Sequence, residues 1–494
     1  MNTTPQLEDA GPARVLSGIE GLDTIVNGGF VLGGMYIIQG TPGAGKTILT
    51  NQICFHHVAG GGRALFVTLL AENHARMIGN LQGMSFFDHA MLPDQMSYLS
   101  AFNEMRDGGL EALGKLLRRE IQRRRTTMLV IDGLVSAQSS AKSDQAFKEF
   151  VHDLQEVALA TDCTMFLTTN AGDQVSPEQT MVDGLIVLKD RMYGWQAASD
   201  LQVTKFRGGS FLRGRHSYQI SGDGVTVYPR IEARYAHPSR MAELPAGRAS
   251  MGIDRLDAML GGGVPNASTT MIMGPSGSGK TTMGMHFLSQ SSEDEPGLMF
   301  SFYETPARLA VKADRLRPPL RPLLDSGSVE VLWQTPTSDL MDAYGERLLE
   351  AVHRRKVKRL FIDGLTAFQS AAIDPSRIGN FFSALANELR VLGVTTVYSL
   401  EVPDILGPAV RVPVDDASSL AENMILLRFV EQRSRLYRLI SILKVRDSDF
   451  DPSLYEFTLG DAGFDIRATS ESVEEILSGS DRNAEVRDSF KRGG

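Results

Sequence analysis

Short apolar runs alternate with longer amphipathic stretches along most of this chain, and the alternation is played out twice. In the first half, Met35–Gln39, Ala64–Leu70, Met128–Ile131 and Thr164–Thr168 read as buried strands. In the second half, Thr269–Met273, Leu298–Phe302, Leu360–Ile362 and Thr395–Ser399 follow in the same order. Amphipathic segments such as Gly109–Gln122 and Ser376–Leu392 predict helices between them. Strands apolar on both faces and separated by helices predict an α/β fold. Its sheet is mainly parallel and covered on both sides, with ligand at the carboxyl ends of the strands. Later in each half, Leu201–Phe206, His216–Tyr228, Tyr437–Val445 and Leu454–Leu459 predict an antiparallel extension of the sheet. From Ser470 the chain is polar and charged, and Ser478–Gly494 has the composition of a disordered tail.

The repetition extends to individual residues. Gly18-Ile19-Glu20-Gly21-Leu22-Asp23 is echoed by Gly252-Ile253-Asp254-Arg255-Leu256-Asp257. Apolar strands end in acid at Ile131-Asp132-Gly133-Leu134 and Ile362-Asp363-Gly364-Leu365, and Lys205-Phe206-Arg207 is answered by Lys444-Val445-Arg446. A period of about half the chain means duplicated domains rather than a solenoid. Pro238, Pro245 and Gly247 put the seam within Tyr235–Gly247. The expected organisation is a tail at residues 1–13, domains at 14–240 and 241–470, and a C-terminal regulatory or disordered tail at 471–494.

The chemistry is concentrated in two loops, Gly40-Thr41-Pro42-Gly43-Ala44-Gly45-Lys46-Thr47 and Gly274-Pro275-Ser276-Gly277-Ser278-Gly279-Lys280-Thr281. Each fits the P-loop pattern: glycines let backbone N–H groups close on a phosphate, and the following helix turns its positive end toward it. The lysine suits the β/γ oxygens and the threonine hydroxyl suits Mg²⁺, so ATP and Mg²⁺ are the expected ligands at both loops. Thr47 with Asp132, and Thr281 with Asp363, are the candidate metal residues; an aspartate capping the next turn is the structural alternative, and the paired spacing favours the metal role. Glu72 and Glu304, each four residues before an arginine in an Ala-Arg-apolar triplet, are candidate catalytic carboxylates that orient the attacking oxygen. A glutamate favoured at a helix start is the alternative. Lys205, Arg207, Lys444 and Arg446 end β-like segments far from their own P-loops. They read equally as an exposed strand face or as cations supplied to a neighbouring subunit's phosphate.

Bulk composition narrows the classes. The 494 residues, 42% hydrophobic, suffice for two or three packed domains. A net charge of −9 gives no general drive toward nucleic acid or anionic membrane. The basic runs around Arg118–Arg125 and His353–Arg359 read as helix ends, where cations oppose the dipole. Two cysteines, Cys54 and Cys163, make neither a disulfide framework nor a metal cluster. With a polar N-terminus and no apolar run of spanning length, the expected compartment is the cytoplasm.

Taken together, the Gly-Ile-x-x-Leu-Asp openings, the P-loops, the Ile-Asp strand ends and the Lys-x-Arg pairs resemble the KaiC family of double-domain RecA-like ATPases, from about Arg14 to Ser480. The resemblance implies an ATP-dependent homohexamer with nucleotide at every subunit interface and the Lys-x-Arg pairs acting in trans. It also implies serine/threonine autokinase activity in the second domain, with Ser418 and Ser419 at the acceptor positions. The segment Asp465–Gly479 resembles the family's C-terminal regulatory segment, a place for an unidentified regulatory protein. Departures are visible: Ala71 and Tyr303 stand where the family carries a first glutamate, and Asp447 stands where it usually has glycine. A RecA-type DNA motor and a nucleotide-gated scaffold with negligible turnover are the competing functions on the same fold.

Overall fold

A computed structural model describes residues 12–69, 74–170, 177–193, 196–239, 245–335, 340–403, 421–432, 435–460 and 463–468. The chain forms two compact units, Met1–Arg234 and Tyr235–Gly494. Among the described residues each unit holds one nine-stranded sheet, alongside a two-stranded one.

The first sheet comprises β1 (Met35–Gly40), β2 (Ala64–Thr68), β3 (Met96–Ser100), β4 (Met128–Asp132), β5 (Thr164–Asn170), β6 (Gly184–Tyr193), β7 (Gln196–Phe206), β8 (His216–Ser221) and β9 (Gly224–Tyr228). Their spatial order is β9-β8-β7-β6-β1-β5-β4-β2-β3. From β6 to β3 the neighbours are parallel; from β6 through β9 they are antiparallel. The second sheet repeats this plan with β10 (Thr269–Gly274), β11 (Gly297–Ser301), β12 (Val329–Trp333), β13 (Arg359–Asp363), β14 (Thr395–Glu401), β15 (Asn423–Gln432), β16 (Arg435–Val445), β17 (Tyr455–Gly460) and β18 (Gly463–Ala468). Its order is β12-β11-β13-β14-β10-β15-β16-β17-β18. These are two tandem RecA-like domains, mainly parallel with an antiparallel wing, as the alternation of strands and helices predicts.

Period-2 geometry explains why the central strands are apolar throughout. Tyr36 and Ile38 of β1 pack with Phe66, Val130 and Phe166 on one face. Met35 and Ile37 pack with Leu65, Leu129 and Leu167 on the other. Each fully buried side chain of this size contributes about 1.5–3 kcal/mol, so a polar residue in the middle of β1 would damage one core or the other.

Four strands of the nine-stranded sheets escaped the sequence reading. β3 and β12 are sheet edges, and β18 is polar, so none has the two-sided apolar signature. β6 starts apolar at Gly184–Leu188 but continues through Lys189, Asp190 and Arg191, where it pairs with β7 alone. Because β18 takes in Asp465–Ala468 and pairs with β17, the first residues of the expected C-terminal regulatory segment belong to the sheet. The helix expected at Gly109–Gln122 is part of Phe102–Arg124, interrupted at Gly109 (φ 64°, ψ −158°). The basic runs do close helices, at Arg123-Arg124 and at His353-Arg354-Arg355. Arg124 pairs with Glu120 at 3.1 Å, and Arg354 with Glu330 at 2.9 Å.

In each unit the last hairpin of the antiparallel wing braces the helix that follows the P-loop. In the first, Gln52 of α1 (Lys46–Ala59) acts as a short piece of strand. Its Nε2 donates to Val225 O at 3.2 Å, and its Oε1 accepts from Val225 N at 2.7 Å. His286 of α2 (Lys280–Leu288) occupies the matching place, six residues past the P-loop lysine in both cases (52 − 46, 286 − 280). Its ring is buried against Phe464 with both nitrogens unpartnered among the described residues.

Gln52→Ala leaves the Val225 N–H and C=O unpaired. It should destabilise the β8–β9 hairpin by about 1–3 kcal/mol, read as faster hydrogen exchange confined to 224–228; unchanged exchange would refute the brace. Burial pushes the His286 imidazole below its ordinary value of 6.5. The folded unit thus takes up a proton less readily than the unfolded chain, so this contribution is complete above about pH 6.5 and is lost as pH falls below it. The protection of β17 and β18 amides, taken relative to their intrinsic exchange rate at each pH, should therefore fall on acidification, and His286→Gln, which installs the first unit's residue, should flatten that dependence.

Candidate nucleotide sites

Both P-loops leave the carboxyl end of a central strand flanked by parallel neighbours, β5 and β6 around β1, β14 and β15 around β10. Gly45 and Gly279, immediately before the lysines, have φ of 87° and 104°. That left-handed geometry turns the first helical N–H groups into the loop, and a side chain there would strike the hairpin, Ile220 at Gly45 and Leu459 with Phe464 at Gly279. Tyr218 of β8 ties the first loop down, donating its hydroxyl to Ala44 O at 2.8 Å.

The lysines fold back over their loops. Lys46 Nζ donates to Gly40 O at 2.7 Å and Thr41 O at 3.0 Å; Lys280 Nζ donates to Gly274 O and Pro275 O, both at 2.8 Å. Burial pushes both ammonium groups below the ordinary lysine value, opposed by Asp132 in the first unit and by Glu401 and Asp363 in the second. An anionic triphosphate in the loop would relieve that cost.

Asp132 and Asp363, at the ends of β4 and β13, face the P-loop threonines across the intervening strands β5 and β14. Thr47 Oγ1 donates to Asp132 Oδ2 at 3.3 Å, and Thr281 Oγ1 to Asp363 Oδ2 at 2.9 Å. A hydroxyl and a carboxylate oxygen brought together in this way fit the hard-oxygen demand of Mg²⁺. The other carboxylate oxygen of each acid accepts a hydroxyl from the next strand, Thr168 on β5 and Ser399 on β14. Those hydroxyls in turn accept from Gly133 N at 3.1 Å and Gly364 N at 2.8 Å. Sequence reasoning missed Thr168 and Ser399, although both lie 36 residues after their aspartate. Burial raises the Asp363 carboxyl, with hydrogen bonds from Ser399 and Thr281 pulling the other way.

The second unit shows the site as a cavity of about 520 Å³, lined by the P-loop, Tyr303, Glu304, Lys312, Asp363, Ser399 and Glu401 among others. Glu304 sits beside the loop, with its backbone oxygen held by Ser301 Oγ at 3.2 Å. Tyr303 reaches Thr366 Oγ1 at 3.2 Å. Glu401, Lys312 and Tyr303 carried no expected role. Glu72 lies outside the described residues, as do Ser418 and Ser419.

The Lys-x-Arg pairs lie elsewhere. Lys205 is in register with Leu185 near the start of β6, and Lys444 with Met424 near the start of β15. Both are at the amino ends of the parallel strands, on the order of 10 Å or more from their own P-loops along the strand direction. Lys205 Nζ donates to Gln179 O at 3.1 Å and Thr180 O at 2.7 Å, and Arg207 stands 3.9 Å from Asp183. Lys444 Nζ donates to Ala421 O at 3.0 Å, and Arg446 stands 3.9 Å from Glu422. Neither pair completes the phosphate site of its own unit.

Fold and site together define a tandem pair of RecA-like P-loop ATPase domains. A family model described as "ATPase: KaiC" matches residues 15–232 and again 249–471. The chain belongs to the KaiC ATPase family. It is similar to the circadian clock oscillator protein KaiC 1 of Synechocystis sp. (strain ATCC 27184 / PCC 6803 / Kazusa), 23% identical over 493 residues that cover 96% of this chain and 93% of that protein. The circadian clock oscillator protein KaiC of Synechococcus elongatus (strain ATCC 33912 / PCC 7942 / FACHB-805) is 24% identical over 484 residues, covering 95% and 92%. No helix among the described residues is long and apolar enough to cross a membrane.

Proposed function

We propose that this protein binds ATP at both P-loops and hydrolyses it, as a signalling ATPase whose subunits complete one another's sites. The reading is carried by one doubled observation, the P-loop threonine hydroxyl bonded to a strand-end aspartate in each unit. Lys46 and Lys280 exchange their loop carbonyls for β- and γ-phosphate oxygens. Thr47 with Asp132, and Thr281 with Asp363, hold Mg²⁺, which neutralises charge on those oxygens when bound. Glu72 and Glu304 orient a water so that its oxygen forms the new bond to the γ-phosphorus as the bridging P–O bond to ADP breaks, and they accept its proton.

The remote Lys-x-Arg pairs support assembly as a ring. Cations that cannot reach the phosphate of their own unit are available to a neighbour, and the homohexamer implied by family resemblance supplies one. In the second domain we assign Ser418 and Ser419 as acceptors, a serine hydroxyl taking the place of water in the same displacement. The serines precede β15, the strand beside the P-loop strand β10. Residues 471–494 are the proposed landing site for a regulatory protein, and the cytoplasm is the proposed compartment.

Calorimetry should find two ATP per chain, one after Lys46→Ala or Lys280→Ala, and none after both. Glu72→Gln with Glu304→Gln should keep binding while steady-state phosphate release falls by about 10²–10⁴. Binding with no release from the unsubstituted protein would leave a nucleotide-gated scaffold. With γ-labelled ATP, label should enter the protein and be lost in the Ser418→Ala, Ser419→Ala variant; label that survives both changes refutes the acceptors.

A further inference from the structure

At one position beside its P-loop the second unit carries a cation where the first unit has a neutral residue. Lys312 lies on α3 (Pro306–Arg315), the helix that follows Glu304, and its ammonium donates to Glu304 Oε1. The helix is anchored by buried Leu309 and Ala313, and Lys312 lines the nucleotide cavity. The other carboxylate oxygen, Oε2, is buried and has no partner among the described residues. In the first unit the residue eight positions after the corresponding Glu72 is Asn80, a neutral side chain (80 − 72, 312 − 304).

We propose that Lys312 is a positioning residue for hydrolysis or phosphoryl transfer in the second domain. By engaging one oxygen of Glu304 it fixes the carboxylate rotamer and leaves the second oxygen free to accept from the attacking hydroxyl. A buried acceptor without a donor is costly; here the missing donor is the water or serine hydroxyl of the reaction. The tether carries no proton through the step: the proton goes from the nucleophile to Glu304, and Lys312 keeps its own. Positional precision of this kind governs rate more than affinity, since it orders the reacting group and not the bound nucleotide. The inference rests on the catalytic reading of Glu304.

The test uses the full-length chain carrying Lys46→Ala, so that turnover reports the second domain. Lys312→Met keeps the aliphatic stem and its packing while removing the charge. It should lower kcat about tenfold with the KM for ATP within about twofold. Lys312→Arg should restore most of the loss, and Lys312→Met added to Glu304→Gln should lower kcat no further. If Glu304→Gln lowers kcat but Lys312→Met does not, the positioning role is overturned and the catalytic reading stands. A raised KM with kcat preserved also overturns it, because Lys312 would then be gripping phosphate. If Glu304→Gln itself leaves kcat unchanged, the reading beneath the inference fails instead. Thermal unfolding of each variant separates loss of the tether from loss of the fold, and Lys312→Arg remains decisive should Lys312→Met unfold.

Discussion

A triphosphate can be gripped by backbone N–H groups only where the chain approaches it without side chains in the way, and this requirement organises both units. Gly45 and Gly279 meet it with left-handed backbone immediately before the lysine. Their bare Cα positions are also what allow the terminal hairpin to press against the loop. The loop must be held at the carboxyl end of a strand bounded on both sides by parallel neighbours, because only there do the Asp-bearing strand ends and the helix N-terminus converge. The two-sided apolar core makes that convergence rigid. Moving the P-loop strand to an edge would lose the aspartate, the hydroxyl that orients it and the hairpin brace together.

Much of this was legible in the residues themselves. Lys46, Lys280 and the two aspartates stand out as candidates, because little besides a phosphate grip requires those residue types at that spacing. Thr168 and Ser399 do not, because a hydroxyl at the end of an apolar strand is commonplace; their role emerges only once β5 lies beside β4, and β14 beside β13. The edge strands β3 and β12 were hidden for a related reason, since a strand with one neighbour need not be apolar on both faces. Lys205 and Lys444 were recognisable as a repeated pattern. Which end of the sheet they occupy depends on β7 and β16 running antiparallel, a fact of topology that no local pattern contains.

The duplicated units have kept the cradle and altered what surrounds it. Gln52 answers the hairpin backbone with two hydrogen bonds, where His286 offers an edge-to-face ring contact and two silent nitrogens. The strand beside the P-loop ends in Asn170 in the first unit and in Glu401 in the second, where it adds negative charge near Lys280. Asn80 and Lys312 differ in the same direction, toward more charge around the second cavity. Each change lies one residue layer beyond the phosphate grip, where chemistry can be retuned without dismantling the fold.

The separation of the Lys-x-Arg pairs from their own loops has a genetic consequence. A lesion at Arg207 leaves that chain's cradle intact, and a lesion at Lys46 leaves its basic pair intact, because the two stand at opposite ends of one sheet. If subunits share their sites, the two chains carry complementary halves of a first-domain pocket, and blending the two preparations restores a fraction of the first-domain activity that neither has by itself.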